Sequence, residues 1–551
     1  MAKLSQKQVE QIVIDFNTLC GDRGNWEDLW QRCADFCLPS NNNITTIASK
    51  GERRGINRYV DVGIRSNEIL AGRLFSYLTP PNQIWFKLNS SDEGLAKDAS
   101  VMDYFGKVNQ QLRDTITSSN FILQIHELFM ALGTFGTVCM FTDPASTKGI
   151  DFHNFHIKNI YIRANSKGKV DTVFRKISYT IRQAIQEFGE KNIHPEMLKQ
   201  YKEGKSNGEK FDFFHACFPR KDRQYGKIDA ENKPFASVYI DVKHKHCVSE
   251  GGYDTFPYHV ARFMKDTDED YGRSPAMQCM CSLDTGNVMK KDILKAGEQI
   301  VNPQWLLPDN GAVSKITSKG GGIIYWNSSN AANKPERLQS NGELGIGLEM
   351  ISEEYDSVKM AFYNDLFNML SDKKNMTATE VLERVNEKLV LFNPVVGRIQ
   401  DELLKPLIGT AYDVLSRRDE LPPVPAILQE NNDYEISFTG KISLAIEQLE
   451  VMALIETMNF FMPLSEVKPD MLDNFNFDDI VRGVSKRNNV PIEWMNAADK
   501  VEKIRAARAE QQAQQAQLDQ GTQMADAASK LQKTTEAGSP LEEIMGSVQQ
   551  R

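Results

Sequence analysis

The chain has 551 residues, of which 41% are hydrophobic and 25% charged, a balance typical of globular rather than disordered or fibrous proteins. At about 150 residues per domain, this length corresponds to roughly three or four domains. The net charge of −9 argues against a protein that coats nucleic acid through bulk positive charge, because such proteins carry a basic excess.

Membrane and secretion signals are not expected from the sequence. The chain has no run of about 18 apolar residues, so we predict no membrane insertion. The first eight residues lack the apolar stretch of a secretory signal. Eight cysteines are too sparse for a disulfide scaffold in a chain of this length, and we expect mostly reduced thiols in a cytosolic protein.

The first quarter of the chain is predicted to be mainly helical. Apolar residues recur at three- and four-residue steps between Trp26 and Phe36, which indicates one face of an amphipathic helix. Turn-forming residues from Pro39 end this helix, and Pro80 ends the next one. The predicted elements are helices over 5–38, 60–78 and 100–132, with a strand over 85–88.

Short β runs separated by turns replace the helical pattern from Gly133 to about residue 262. This change of character predicts an α+β domain. Examples of the predicted strands are 137–141, 159–162, 170–174 and 237–242, and one helix is predicted over 180–189.

Two long helices follow, separated by a turn-rich insert over 303–347. Ser274 is predicted as the N-cap of the first, with Pro275 as its first helical residue, and nothing stops this helix before Asn302. Its 27 residues would span about 40 Å. The second is predicted over 348–370, where a single apolar stripe is typical of helices that pack side by side.

The remaining chain is predicted to be helical with interruptions. After a polar loop over 371–376, Thr377 and Glu380 form a capping box that opens a helix to about 417. Kinks are predicted in that helix at Pro394 and Pro406. The further elements are a rigid linker over 421–425, a strand over 434–439, an all-helical region over 441–500, and a tail that is an exposed helix or partly disordered.

The sequence carries no complete motif for catalysis or metal binding. The chain has no G-x-x-x-x-G-K-[ST], H-E-x-x-H or G-x-S-x-G motif. Asp266, Asp268 and Asp270 imitate a calcium loop, but the required Gly and Glu are missing later in it. Two clusters resemble half of a zinc site but lack the paired spacing of one. These are Cys279-x-Cys281 and His244-x-His246-Cys247. We therefore predict no cofactor, no metal ion and no catalytic residue.

Six short motifs occur along residues 20–420 in the order in which one protein family carries them. The most specific is the run 271–276 at the start of the long helix. Together they resemble the portal, or head-to-tail connector, proteins of short-tailed bacteriophages. The motifs are 78–81 with 85–88, 170–175 with Thr180, Gln183 and 188–189, 218–222, 271–276, 377–381, and 403–407.

The resemblance implies an α+β portal fold, assembled as a ring, usually of twelve subunits, at one capsid vertex. Its parts would be an α/β wing, two long stem helices, a small clip insert, a kinked channel helix and a helical crown or barrel. By position, these are wing 1–273, stem helices 274–301 and 348–370, clip 302–347, channel loop 371–379, kinked helix and wing return 380–440, crown 441–500, and barrel or disordered tail 501–551.

The function implied by the resemblance is a conduit for genome packaging and ejection in the virion, assembled in the host cytoplasm, and not an enzyme. Double-stranded DNA would pass without sequence specificity, and a negatively charged channel would let it slide because it repels phosphate. The other implied partners are identical subunits, the terminase large subunit, a tail adaptor, and capsid and scaffold proteins.

Two sets of site residues follow from this placement. Lys373, Lys374 and Asn375 would face DNA from the channel loop; the alternative is a solvated turn without DNA contact. The clip residues would bind the motor and the adaptor; the alternative is that they pack only within the ring. The clip residues are Trp305, Leu306, Tyr325 and Trp326.

Two alternative functions remain open at this point. One is another structural virion protein, such as a scaffold or internal core component, which would give no reason for two stem-length helices around an insert. The other is a DNA-packaging enzyme such as an ATPase or nuclease. An ATPase would need the phosphate-binding loop that the sequence lacks.

Overall fold

The computed structural model divides the chain into two compact units, Met1–Ile446 and Glu447–Arg551. It describes a defined set of residues, and all structural statements below refer to them. They are 4–46, 49, 51–52, 54, 58–81, 83–92, 94–95, 98–145, 148–204, 208–221, 223–224, 227, 229–301, 305–306, 336–337, 344–364, 392–428, 433–439, 454–455, 457–461, 475–487, 495–496, 500–501, 503–513, 515 and 522–524.

Helices dominate the beginning of the first unit, as predicted. The predicted helix over 5–38 is in fact two helices that meet at Asp22 and Arg23. The break lets the Arg23 side chain turn inward, where it donates hydrogen bonds to the carbonyls of Lys158 and Ile160. The helix predicted over 100–132 is likewise two. The helices are α1 Gln6–Gly21, α2 Gly24–Cys37, α3 Val62–Leu78, α4 Ala99–Ser118, α5 Phe121–Phe135, α6 Ile181–Phe188 and α7 Pro195–Lys202.

The strands of the first unit form antiparallel sheets. A five-stranded sheet has the order β4-β5-β6-β7-β8, and a three-stranded sheet has the order β3-β2-β9. The strands are β1 Phe86–Ser90, β2 Thr137–Pro144, β3 Ile150–Phe155, β4 Ile160–Ala164, β5 Val170–Thr180, β6 Lys210–Pro219, β7 Phe235–Asp241, β8 His246–Tyr253, β9 Tyr258–Arg262, β10 Met264–Lys265 and β11 Gly272–Arg273.

The five-stranded sheet is covered on both faces. Phe214 of β6 packs against α1, where its ring stacks on Phe16 at 4.6 Å. The adjacent Phe213 points to the other face and packs against α6 and α7. Since β6 is apolar on both faces, it lacks the alternation of a half-exposed strand. The prediction of short β runs from Gly133 to about residue 262 includes this strand without giving its bounds.

The remaining elements lead away from the sheets and return. The strand predicted over 434–439 is present and pairs with β1, so that Phe86 lies opposite Phe438. The elements are α8 Pro275–Gln278, α9 Met280–Val301, β12 Trp305–Leu306, β13 Glu336–Arg337, α10 Leu344–Ala361, a helix α11 over 392–417 that contains the π-helical turn Gln400–Leu404, and β14 Tyr434–Phe438.

The second unit is helical where the structure describes it at length. Its best-defined element is helix α12, Phe477–Arg487. Asp478 at its start accepts two hydrogen bonds of 2.6 Å from Arg505. Among the described helices of the whole chain, none combines the length and apolarity needed to cross a bilayer.

Candidate functional site

The first long helix is connected to the core of the first unit through residues 271–275, which we call the joint. Ser274 is the N-cap of the helix that starts there, as predicted. Its hydroxyl accepts a hydrogen bond from the backbone N–H of Met277 at 3.1 Å. The same hydroxyl donates to the carbonyl of Thr134 at 2.8 Å, at the end of α5. One buried side chain therefore starts α8 and fastens it to the core.

The two residues before Arg273 complete the joint. Gly272 donates its N–H to the hydroxyl of Thr137 at 2.7 Å, and a Cβ at Gly272 would lie 2.5 Å from the carbonyl oxygen of Gly136. Only glycine allows the two backbones to approach so closely. Tyr271 is buried with its ring edge against Trp30, at 5.1 Å between centroids. The motif that looked most specific in the sequence therefore holds the joint.

The predicted single helix over 275–301 is interrupted once. After the short α8, Cys279 has φ −100° and ψ 16°, outside helical values, and α9 starts at Met280. Cys279 is buried against the core, whereas Cys281 is exposed, so this pair does not form a common ligand site. The interruption lets the chain turn from the core into the long helix.

Helices α9 and α10 pack side by side as an antiparallel pair, which we call the hairpin. Its base is buried in the core through Leu283, Val358 and Phe362. The helix predicted over 348–370 begins earlier than expected, since α10 spans Leu344–Ala361, and residues 365–370 of that prediction lie outside the described residues. Tyr363 then adopts a left-handed φ of 58°, which a continuous helix does not permit.

The part of the hairpin away from its base carries exposed apolar side chains. Leu294 and Leu348 are each 52% exposed and Val301 is 78% exposed. The apolar stripe that the sequence shows on the second helix is instead its buried side, since Ile351, Val358 and Phe362 are buried, and the exposed apolar positions were predicted on neither helix. The exposed apolar residues of the hairpin are Val288, Leu294, Ile300, Val301, Ile346, Leu348, Met350 and Met360.

The insert between the two helices is closed at its base. Trp305 pairs with Arg337 and Leu306 with Glu336 in a two-stranded antiparallel ladder, so the chain leaves and returns at one place. The side chains of Trp305 and Leu306, and all of Tyr325 and Trp326, lie outside the described residues.

The described residues on either side of the segment that contains the predicted channel loop, 371–379, lie close together. The rings of Tyr363 and Phe392, at the two ends of the intervening segment, lie 4.9 Å apart. Lys373, Lys374 and Asn375 belong to that segment and lie outside the described residues, as does the capping box of Thr377 and Glu380. The described ends thus fix where the segment starts and finishes.

Helix α11 carries the chain back onto the three-stranded sheet. At the π-helical turn, Glu402 accepts hydrogen bonds from the guanidinium of Arg262, the shorter at 2.7 Å, and from its backbone N–H at 3.0 Å. The turn directly precedes Pro406, where the sequence predicts a kink. The kink predicted at Pro394 stays a prediction.

The two clusters that resemble half of a zinc site in the sequence, Cys279-x-Cys281 and His244-x-His246-Cys247, do not form common ligand sites in the structure. His246 contacts the carbonyl of Asn192 at 3.2 Å, and the Cys247 thiol is directed to the carbonyl of Ser249. Asp266 receives the backbone N–H of Thr267 in an exposed turn. His244 instead meets residues from another segment, which the sequence could not show.

Comparison with known proteins covers nearly all of this architecture. Residues 10–495 match the family model described as bacteriophage head to tail connecting protein. The chain is 26% identical over 495 residues to the portal protein of Salmonella phage epsilon15, covering 88% of each chain. It is 28% identical over 487 residues to the probable portal protein of Bordetella phage BPP-1, covering 87% of this chain and 86% of that protein. Because the family match extends from α1 past α12, the chain belongs to the bacteriophage head-to-tail connecting protein family.

Proposed function

We propose that this protein is a portal that assembles into a ring, of twelve subunits, at one capsid vertex. The ring is the conduit for genome packaging and ejection. It is a structural connector rather than an enzyme. The family membership and the two relatives named as portal proteins support the proposal.

The observation that carries the ring is the exposed apolar surface of the hairpin. Leu294, Val301 and Leu348 are largely uncovered in the single chain. Single apolar residues scattered over a surface are normal in monomeric proteins. Several exposed apolar residues on one helical hairpin indicate a surface that another chain covers. In a ring, the hairpins of neighbouring subunits cover one another.

The charge of the second hairpin helix suits a DNA conduit. Helix α10 carries Glu349, Glu353, Glu354 and Asp356 against the single cation Lys359. Repeated around a ring, this helix presents negative charge that repels phosphate, so DNA moves without adhering. A basic wall would gain free energy from counterion release at each step and slow the DNA.

The two segments whose ends lie close together, the insert and the segment between Tyr363 and Phe392, are proposed to contact the other partners of the ring. The insert closed by β12 and β13 is proposed to bind the terminase large subunit during packaging and a tail adaptor afterwards. The segment between Tyr363 and Phe392 is proposed to reach toward DNA with Lys373 and Lys374. Capsid and scaffold proteins would contact the outer parts of the ring.

The ring is tested by placing charge on the hairpin. We expect Leu294→Glu combined with Leu348→Glu to abolish ring formation, because burying two carboxylates between subunits costs several kcal/mol. Native mass spectrometry and negative-stain microscopy, with scaffold co-expressed, measure assembly. Circular dichroism of the subunit should be unchanged, since both side chains are exposed in the single chain.

Leu123→Glu is the matched control, because Leu123 is likewise an exposed helical leucine but lies on α5, away from the hairpin. Rings should form in this variant. Rings that survive the hairpin substitutions but disappear with Leu123→Glu would move the subunit contact to α5. Monomers alone in the unaltered protein would contradict the ring.

A further inference from the structure

Three potential metal ligands from two separate segments meet at the edge of the five-stranded sheet. His194 and Glu196 lie at the start of α7, and His244 lies in the turn between β7 and β8. One donor atom from each of the three lies within 4.8 Å of the others. The chain separates His244 from the other two by about 50 residues, so the fold alone brings them together.

A buried carboxylate orients His244 toward the other two residues. Asp241 is 1% exposed and accepts a hydrogen bond of 2.5 Å from Nδ1 of His244. A neutral His244 ring that donates from Nδ1 has a lone pair on Nε2, the usual metal-binding arrangement of a carboxylate–histidine pair. Asp241, which is buried, thus sets the tautomer of the neutral His244 ring.

The Nε2 atom of His244 faces a carboxylate oxygen of Glu196 at 3.4 Å. In the neutral ring both atoms are acceptors, so neither satisfies the other. A cation bound between them removes this conflict. The cation is either a proton, which makes His244 an imidazolium held between two carboxylates, or a metal ion.

The second histidine distinguishes these two cations. The His194 ring is stacked on His244, with centroids 4.2 Å apart and planes within 7°. The in-plane lone pairs of two stacked rings run parallel, so the His194 ring must rotate out of the stack before both rings bind one ion. A second imidazole within reach is a good ligand for a metal, whereas it does nothing to hold a proton on His244. Its Nδ1 accepts only a long hydrogen bond, 3.4 Å, from the Glu196 N–H.

We propose that His194, Glu196 and His244 bind a divalent transition-metal ion of the Zn²⁺ type. Two imidazoles and one carboxylate are a ligand set that suits Zn²⁺, and water would complete a tetrahedral site. The Glu196 side chain is 72% exposed, so the ion can enter from solvent. Bound metal would tie α7 to the β7–β8 turn and so stiffen the sheet edge.

The test uses the full chain, stripped with a chelator and carrying Cys281→Ser to remove the exposed thiol that would also bind zinc. Isothermal titration with Zn²⁺ at pH 7.5 should show one site per subunit. We expect His244→Ala to weaken Zn²⁺ binding at least tenfold and Glu196→Gln to weaken it severalfold. Because Glu196 is exposed, that second variant does not threaten folding.

His246→Gln is the matched control, because His246 lies next to the site but its Nε2 contacts the carbonyl of Asn192. Its Zn²⁺ affinity should be unchanged. Co²⁺ loaded in place of Zn²⁺ should give the visible absorption of a tetrahedral ion, lost in His244→Ala. Absence of a saturable site, or equal affinity in His244→Ala, would overturn the proposal.

Discussion

His215 on β6 and His259 on β9 are buried, and burial lowers the pKa of each ring to about 3. The two nitrogens of His215 contact the Tyr258 hydroxyl at 2.6 Å and the Ser237 hydroxyl at 2.8 Å. Neutral hydroxyl partners give a charged ring no compensation, so the folded protein keeps both rings unprotonated.

We expect the stability of the unassembled subunit to fall below about pH 6.5. The unfolded chain binds protons at its ordinary histidine pKa while the folded chain does not, so stability is full above pH 6.5 and falls as pH drops toward 3. Each histidine contributes roughly 1.4 kcal/mol per pH unit in that window. Urea denaturation midpoints between pH 4.5 and 7.5 measure the slope.

The His215→Gln variant should show a shallower decline, since one of the proton-linked groups is gone. The exposed His126 provides the control, and His126→Gln should keep the original slope. A slope that is identical in all three proteins would contradict the assignment of acid sensitivity to the buried rings.

At the scale of elements, the joint before α8 depends on backbone proximity. A Cβ at Gly272 would lie 2.5 Å from the Gly136 carbonyl oxygen and 2.9 Å from the Met264 carbonyl oxygen, and both are backbone atoms that cannot step aside. We expect Gly272→Ala to destabilise the first unit by about 3 kcal/mol or more, a size reserved for such backbone conflicts. Thermal denaturation of the unassembled subunit measures the loss.

Gly297 offers the matched control within α9. A Cβ there would meet nothing within 4 Å, and the residue is in the middle of a helix. Gly297→Ala should therefore stabilise the protein by up to about 1 kcal/mol, because alanine favours the helix. Equal effects of the two substitutions on stability would show that the backbone around Gly272 can adjust to a Cβ atom. The close backbone approach would then not be needed to fix the hairpin to the core.

At the scale of the whole assembly, the segment between Tyr363 and Phe392 is where DNA contact is proposed. We expect Lys373→Glu combined with Lys374→Glu to leave rings intact, since exposed substitutions usually cost less than about 0.5 kcal/mol. Genome filling or retention should fall, because two favourable charges per subunit become repulsive to phosphate. Gel measurement of encapsidated genome length, alongside microscopy of rings, tests this.

Lys290→Glu with Lys291→Glu on α9 is the matched control, an equal change of charge on the hairpin. It separates a local effect of the loop from an effect of total charge. Normal packaging in the loop variant would show that Lys373 and Lys374 take no part in DNA filling or retention. Loss of rings in that variant would instead show that Lys373 and Lys374 contribute to contacts between subunits.

The sequence by itself determined the features that depend on near neighbours along the chain. The Ser274 cap, the stop at Pro80 and the helical character of 348–361 follow from hydrogen bonds and apolar spacing within a few residues, whereas the first turn of α10 from Leu344 was predicted as part of the insert. The order of short motifs identified the family, which the match over residues 10–495 confirms. Helix ends were less certain, since α10 stops at Ala361 through the left-handed Tyr363 rather than through a sequence signal.

Only the tertiary structure decided which distant segments meet. Strand β14 pairs with β1 across about 350 residues of sequence. Strand β6 is covered by helices on both faces, and its own sequence does not show which helices these are. Likewise His244 joins His194 and Glu196 because the β7–β8 turn lies against α7. Apolar burial is non-directional, so local sequence fixes what a segment can form, whereas the packing of the complete chain fixes its partners.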